Sequence, residues 1–219
     1  MTDGQGIMEK EVKLTAADAA TLDGVMRDPE VLAKANGASW RARTLVSTYL
    51  DTPGHALLTH KYGFRFRRLR ETGEWKACLK GEGGLKDGYS VRSEWEQIVP
   101  GPVDRLSLLP EGSLRDQILS VAPGGEMLVP LVETAFVRHT LDVSLGDDSL
   151  VEVALDQGEI RAGGKIFPLF EVELEQKAGR VEPMLDFADA LRHRHGLKAS
   201  QHSKFALGLQ LLHGDWGHW

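Results

Sequence analysis

The run Phe170-Glu171-Val172-Glu173-Leu174-Glu175 carries a carboxylate at every second residue, and Glu9-Lys10-Glu11-Val12-Lys13 does the same with two carboxylates and an ammonium. Successive side chains of a strand point to opposite faces, so each segment gathers these charges on one face and leaves the other mostly apolar. The design recurs along the chain. Arg65 and Arg67 alternate with Phe64 and Phe66, and Lys76 and Lys80 fall in phase within residues 75–80. Arg92, Glu94 and Glu96 share a face of residues 91–96, Arg138 lies in the alternating run 136–142, and Glu152 and Asp156 share a face of residues 151–156.

Crowding so many ions needs compensation. Like charges near 4 Å repel by about 4 kcal/mol at an effective dielectric of ~20. A bound cation would relieve the acids and a bound polyanion the bases. Carboxylates without His or Cys partners suit hard divalent ions, Mg²⁺ or Mn²⁺, rather than zinc. The guanidinium fork and the lysine point charge suit phosphate oxygens. Together they ask for a metal-complexed polyphosphate, and attack by water would make the protein a hydrolase.

The elements that must carry these residues read as an α+β chain with a mainly antiparallel sheet. Strands are expected over residues 9–14, 41–49, 64–70, 74–80, 89–99, 128–134, 136–144, 150–157 and 167–177. Helices are expected over 16–26 with Thr15 as N-cap, over 29–35, from Asp51-Thr52-Pro53 through about His60, and over 113–121. Two more close the chain, 182–195 with Gly196 as C-cap and 203–212. Were the charged faces turned outward, they would be ordinary solvated surface. Clustering of Arg and Glu by segment favours the reverse: a barrel with charges facing a central channel and helices covering its apolar outside.

Composition sets outer limits. The 219 residues suit a single domain, 1–219, with a formal net charge of -6, 42% hydrophobic and 26% charged residues, and so no general pull toward nucleic acid or anionic membrane. A lone cysteine, Cys78, excludes an intrachain disulfide and suits a reducing cytoplasm. No apolar signal segment precedes Met8, and no stretch nears the ~20 apolar residues of a membrane helix. The ending at residues 211–219 is abrupt, as it would be in a longer chain cut at a linker.

Glu9-x-Glu11-x-Lys13 resembles the ExExK signature of the CYTH domain, or triphosphate tunnel metalloenzyme, family. Tyr49-x-Asp51-Thr52, Arg65-x-Arg67, Lys80, Arg92-x-Glu94-x-Glu96, Arg138, Glu152, Glu171-x-Glu173-x-Glu175 and Ser203-Lys204 are similar to further family landmarks in the same order. The resemblance implies an eight-stranded antiparallel β-barrel tunnel, flanked by helices, that hydrolyses inorganic triphosphate to pyrophosphate and phosphate with Mg²⁺ or Mn²⁺. It further implies metal ligation by Glu9, Glu11, Glu171, Glu173 and Glu175, and phosphate binding by Lys13, Arg65, Arg67, Lys76, Lys80, Arg92, Arg138 and Lys204. Glu9, Glu11, Lys13, Glu94, Glu96, Glu152 and Asp156 are the catalytic candidates. Class IV adenylate cyclase, thiamine triphosphatase and a non-catalytic polyphosphate-binding module stay open as alternatives, as do monomer and homodimer.

Other features carry less. Gly81 to Gly88 lacks the Gly-Lys-Ser/Thr ending of a P-loop and reads as a hairpin loop. His193 and His195, two apart on a helix, diverge too far to share a metal and read, with the remaining histidines, as solvated. Single-stranded nucleic acid is disfavoured because Phe64, Phe66, Trp75 and Trp95 face away from the bases. Cys78 stands where the family tends to carry threonine and reads as a packing residue.

Overall fold

In a computed structural model describing residues 6–81, 83, 86–122, 127–146 and 148–213, the charged segments fall on strands that close into one barrel. In chain order the strands are β1 (Ile7–Thr15), β2 (Arg41–Asp51), β3 (Gly63–Leu69), β4 (Trp75–Lys80), β5 (Tyr89–Val99), β6 (Val129–Ser144), β7 (Leu150–Ala162) and β8 (Lys165–Ala178), followed by the two-residue β9 (Lys198–Ala199). The sheet order is β5-β4-β3-β2-β6-β7-β8-β1, and a pairing of β1 with β5 closes it. Every pairing is antiparallel, and β9 adds only to the end of β1 at Leu14 and Thr15.

Register is what turns alternation into an ionic lumen. Opposite charges stand directly across from one another at Glu9 and Arg92, Lys13 and Glu173, Lys80 and Glu94, and Arg138 and Asp156. Such pairs support the sheet, whereas a slip of one residue would turn the whole charged set outward.

The alternate residues point out and are covered by helices. Helices α1 (Ala19–Met26), α2 (Pro29–Lys34) and α5 (Glu182–His195) lie over Val12, Leu14, Val153, Val172 and Leu174. A short 3₁₀ turn (Leu106–Leu108) and α4 (Ser113–Val121) cover Phe64, Phe66, Ala77 and Leu79. Helices α3 (Ala56–Thr59) and α6 (Lys204–His213) supply Leu58 and Leu209 to a third cluster with Tyr49, Val132 and Ile160. No helix among the described residues is long and apolar enough to cross a membrane.

Local chemistry corrects several expected boundaries. The segments 128–134 and 136–144 form one strand of 16 residues, because β6 pairs with β7 without interruption from Glu133 to Ser144. β7 and β8 both run past their expected ends to a two-residue turn, Gly163-Gly164, with φ of 56° and 74°. Those positive values are what a tight hairpin demands and glycine tolerates. Thr15 remains in β1, and Asp18 caps α1 instead, its Oδ1 accepting from Thr21 N at 2.8 Å. Pro53 lies outside α3, which starts at Ala56. The buried Asp51 carboxylate accepts from Leu57 N and Leu58 N, each at 2.9 Å, so the cap acts from farther back than Pro53 suggests.

The histidines are not uniformly solvated. His193 is exposed, but His195 Nε2 lies 2.7 Å from Oδ2 of Asp28, which Arg194 Nη1 also reaches at 2.6 Å. His202 Nε2 meets Gln210, and its Nδ1 is buried. Glu82, Gly84 and Leu85 of the expected hairpin loop, the first five residues and the terminal 214–219 segment lie outside the described residues.

Candidate functional site

The barrel encloses a chamber of about 1140 Å³ whose lining includes Lys13, Arg65, Arg67, Lys80, Arg92, Arg138 and Lys204 together with Glu9, Glu94, Glu96, Glu173 and Glu175. Alternation on six strands brings all of these groups but Lys204 into one space. Lys204 arrives differently, at the first turn of α6, which can sit this close to the barrel because Gly208 carries no side chain. A Cβ there would lie 2.2 Å from Val132 Cγ1. Phe205, next to Lys204, stacks on the Tyr49 ring at 4.8 Å and fixes the start of the helix.

Behind Glu173 of this lining sits a buried carboxylate trio. Asp156, Glu171 and Glu173 each present an oxygen, and these oxygens lie within 4.8 Å of one another. The Lys204 ammonium sits among them, 2.8 Å from Asp156 Oδ2 and 2.7 Å from Glu173 Oε1, and it also donates to Glu171 Oε2. Burial, with neighbouring Glu173 adding to it, pushes the Glu171 carboxyl up despite Lys204. Burial acts on Glu173 too, but Arg138, Lys13 and Lys204 outweigh it and hold that carboxyl well below the usual range. Glu171 Oε1 is buried with no hydrogen-bond partner. An orphaned carboxylate oxygen beside two more hard oxygen donors fits a divalent cation of the Mg²⁺ or Mn²⁺ type.

Glu9 and Glu11 belong to a second cluster, joined to the first by Lys13, which donates to both Glu11 and Glu173. Glu9 accepts from Lys80 at 2.7 Å and from Arg92 Nε at 2.8 Å, while Glu11 accepts from Lys13 at 2.8 Å and from Arg92 Nη2. Glu94 lies 3.3 Å from Lys80 and accepts from Cys78 Sγ at 3.0 Å. Desolvation would raise its carboxyl, but Lys80 and Arg65 bring it down to about 2. Cys78 itself is pushed up to about 12, chiefly by burial, so it is a neutral thiol donor rather than a thiolate nucleophile. Near the barrel end that holds Arg41 and Leu150, Lys76 pairs with Glu96 at 2.7 Å, and Lys177 meets Glu175 at 2.8 Å and Glu152 at 3.6 Å.

Arg65 and Arg67 differ from the other cations lining the chamber. Arg65 Nη1 donates to the Tyr49 hydroxyl and Arg67 Nε to Ser47 Oγ, each at 3.0 Å. Among the described residues neither makes a salt bridge, and Arg65 Nε is buried without any partner. Burial, then Arg65 and Arg138, lower Arg67 to about 10. Two neighbouring guanidiniums, Arg65 buried and Arg67 half-buried, without a paired carboxylate form a field made for an anion. Phe136 lies under this group, its ring centroid 5.8 Å from Arg67, 5.7 Å from Arg138 and 5.3 Å from Lys204.

Of the expected metal ligands, then, Glu171 and Glu173 meet, with Asp156 as the third member, while Glu9, Glu11 and Glu175 each lie against bases elsewhere. Ser47, Phe136 and Lys177 were not singled out from sequence, although each falls in the same alternate phase as its charged neighbours. Trp95 packs with Tyr62 against the outer cluster, on the face opposite Glu94 and Glu96 as expected, and it also borders the chamber alongside Ile7 and Met8.

The comparisons agree with this architecture. The inorganic triphosphatase of Haemophilus influenzae is 30% identical over 221 aligned positions, covering 97% of this chain and 59% of the relative. The chain therefore spans about three-fifths of that relative's length. A Hippeastrum protein described as a candidate adenylyl cyclase with a dominant triphosphatase activity superposes with a TM-score of 0.72 at 19% identity, covering 97% of this chain and 100% of that one. A candidate adenylate cyclase from Bacillus halodurans gives 0.56 at 14% identity, covering 92% and 97%. The model of the CYTH domain matches residues 8–207, and with the closed ionic barrel around those residues, the chain belongs to the CYTH domain family.

Proposed function

We propose that this protein is a metal-dependent inorganic triphosphatase, splitting tripolyphosphate and water into pyrophosphate and phosphate inside its barrel. The observation that carries this reading is the meeting of two environments at one chamber: Arg65 and Arg67 on its lining without carboxylate partners, and the buried Asp156, Glu171 and Glu173 trio, which has an unpartnered oxygen and reaches that lining through Glu173. Arg138 joins them, bonded to Asp156 and Glu173 while lowering Arg67 through its charge.

In this reading Asp156, Glu171 and Glu173 hold Mg²⁺ or Mn²⁺. The ion supplies Lewis-acid neutralisation of phosphoryl oxygens. Arg65 and Arg67 take the phosphate chain by charge-assisted hydrogen bonds, and Lys13, Lys80, Arg92, Arg138 and Lys204 extend the positive wall. Glu9, Glu11 and Glu94 hold Lys80, Arg92 and Lys13 in place, as their ion pairs suggest. Glu96, Glu175 and Lys177 border the chamber, and Lys76 and Glu152 a smaller cavity beside it, away from the reacting phosphates in this reading. The name of the Haemophilus influenzae relative supports tripolyphosphate as the substrate. The lone, unbridged Cys78 suits a cytoplasmic setting.

The deciding assay incubates the purified chain with tripolyphosphate, ATP or thiamine triphosphate, with and without Mg²⁺ or Mn²⁺, and quantifies phosphate, pyrophosphate and cyclic AMP. Metal-dependent release of pyrophosphate and phosphate in equal amounts from tripolyphosphate is the expected result. Cyclic AMP from ATP as the main product would assign lyase chemistry instead.

A further inference from the structure

Two pairs of cations stand directly opposite each other on the lumen face, Arg43 against Arg138 between β2 and β6, and Arg67 against Lys76 between β3 and β4. Like charges placed this way are destabilising unless something compensates them. Arg138 has Asp156 and Glu173, and Lys76 has Glu96 at 2.7 Å. Among the described residues Arg43 and Arg67 have no salt bridge at all. Both line a second cavity of about 150 Å³ that shares Arg67, Arg138 and Glu96 with the main chamber. That is roughly five times the ~30 Å³ share of a water molecule in the liquid, room for a tetrahedral phosphate group. Arg41, also on its wall, already has Asp142 at 2.9 Å.

We infer that this end of the tunnel is a second phosphate subsite, built on Arg43, Arg67 and Lys76. Its ligand is a phosphate group, supplied either as free orthophosphate or as the distal phosphate of a linear polyphosphate longer than three. The inference rests on the tunnel taking phosphoanhydride chains, as proposed above. Arg67 marks the boundary, since it faces both cavities, whereas Arg43 borders only the second.

Calorimetric titration of the full chain with orthophosphate, with tripolyphosphate and with a longer linear polyphosphate tests it, at fixed ionic strength, on wild type, Arg43→Gln and Arg43→Lys. Arg27→Gln, removing an exposed cation after α1, gives the baseline for losing one charge anywhere. Arg43→Gln is expected to leave tripolyphosphate affinity at that baseline and to weaken orthophosphate or the longer chain by roughly fivefold, the most one solvent-exposed charge contact usually gives. Arg43→Lys should recover part of the loss. Weakening for orthophosphate assigns the subsite to the free ion, and weakening for the longer chain alone assigns it to distal phosphates. Equal weakening for all three ligands, or no change beyond Arg27→Gln, overturns the subsite. Should wild type fail to bind tripolyphosphate, the functional reading falls, while the orthophosphate titration still decides the subsite.

Discussion

Lys13 and Lys204, 191 positions apart in the chain, donate to the same oxygen, Glu173 Oε1, at 2.6 and 2.7 Å. One carboxylate thus offsets two buried ammoniums, and its other oxygen takes Arg138. Replacing Glu173 by Gln leaves three cations crowded around a neutral amide. Breaking a buried pair in this way costs about 3–5 kcal/mol, and the loss should appear in denaturant unfolding together with the loss of activity. A variant as stable as wild type would mean that these ammoniums shed their charge or move apart.

Arg67 has the opposite sign. Because it is held near 10, below its ordinary 12.5, the unfolded chain keeps this proton to higher pH than the native one. Stability therefore rises with pH between those values, and the penalty is fully present below about 10. Arg67→Met should stabilise the ligand-free protein by about 1–3 kcal/mol at neutral pH. Tripolyphosphate affinity should meanwhile drop at least tenfold, since a charge-assisted contact is worth about 1.5–3 kcal/mol. Unfolding curves with and without tripolyphosphate separate the two effects, and a less stable ligand-free variant would contradict the first.

Glu171 and Glu173 should behave differently although they are two residues apart. The native environment raises Glu171, so above its folded value its charge costs stability, which is recovered as pH falls from that value to the ordinary 4.5. Glu171→Gln should therefore leave the metal-free fold as stable as wild type or more so. It should weaken Mn²⁺ binding at least tenfold, the lower end of what even an outer-sphere partner is worth, as measured by Mn²⁺ titration with electron paramagnetic resonance. Unaltered Mn²⁺ affinity would remove Glu171 from the metal site.

Far from the tunnel, Asp28 ties α2 to α5. Its carboxylate accepts from Glu30 N and meets Arg194 and His195, which outweigh burial and lower it to about 2. The resulting stability is complete above the ordinary 3.8 and is lost as pH falls toward 2. Asp28→Asn should cost roughly 2 kcal/mol at neutral pH and flatten the acid limb of the stability curve. Turnover of tripolyphosphate should be unchanged, which a melting series from pH 2 to pH 7 with parallel assays can check.

Strand faces were the most legible part of the chain. A period of two, repeated on seven segments, puts the charges of each segment, among them Glu9, Glu11, Arg65, Arg67, Arg92, Arg138, Asp156, Glu171 and Glu173, on one face of its strand. Which of them meet is decided by register, and register depends on turns that alternation does not encode. Glu9 thus sits against Arg92 and Lys80, and Asp156, read as a catalytic candidate, joins Glu171 and Glu173. The single strand β6 was split in expectation between Thr134 and Phe136, whereas uninterrupted pairing with β7 joins the two segments. His195 resembled a solvated helix residue because its partner, Asp28, lies 167 positions away.

The pairing of β1 with both β5 and β8 has a consequence for the making of the molecule. Its acids wait for Lys80 and Arg92, and its Lys13 also for Glu173, so the ionic lining is completed late, through contacts distant in sequence. High contact order slows folding, and until β1 seals the seam two long strand edges stand open to neighbouring chains. Newly made chains should therefore depend on dilution or chaperones most acutely just before the N-terminal strand docks.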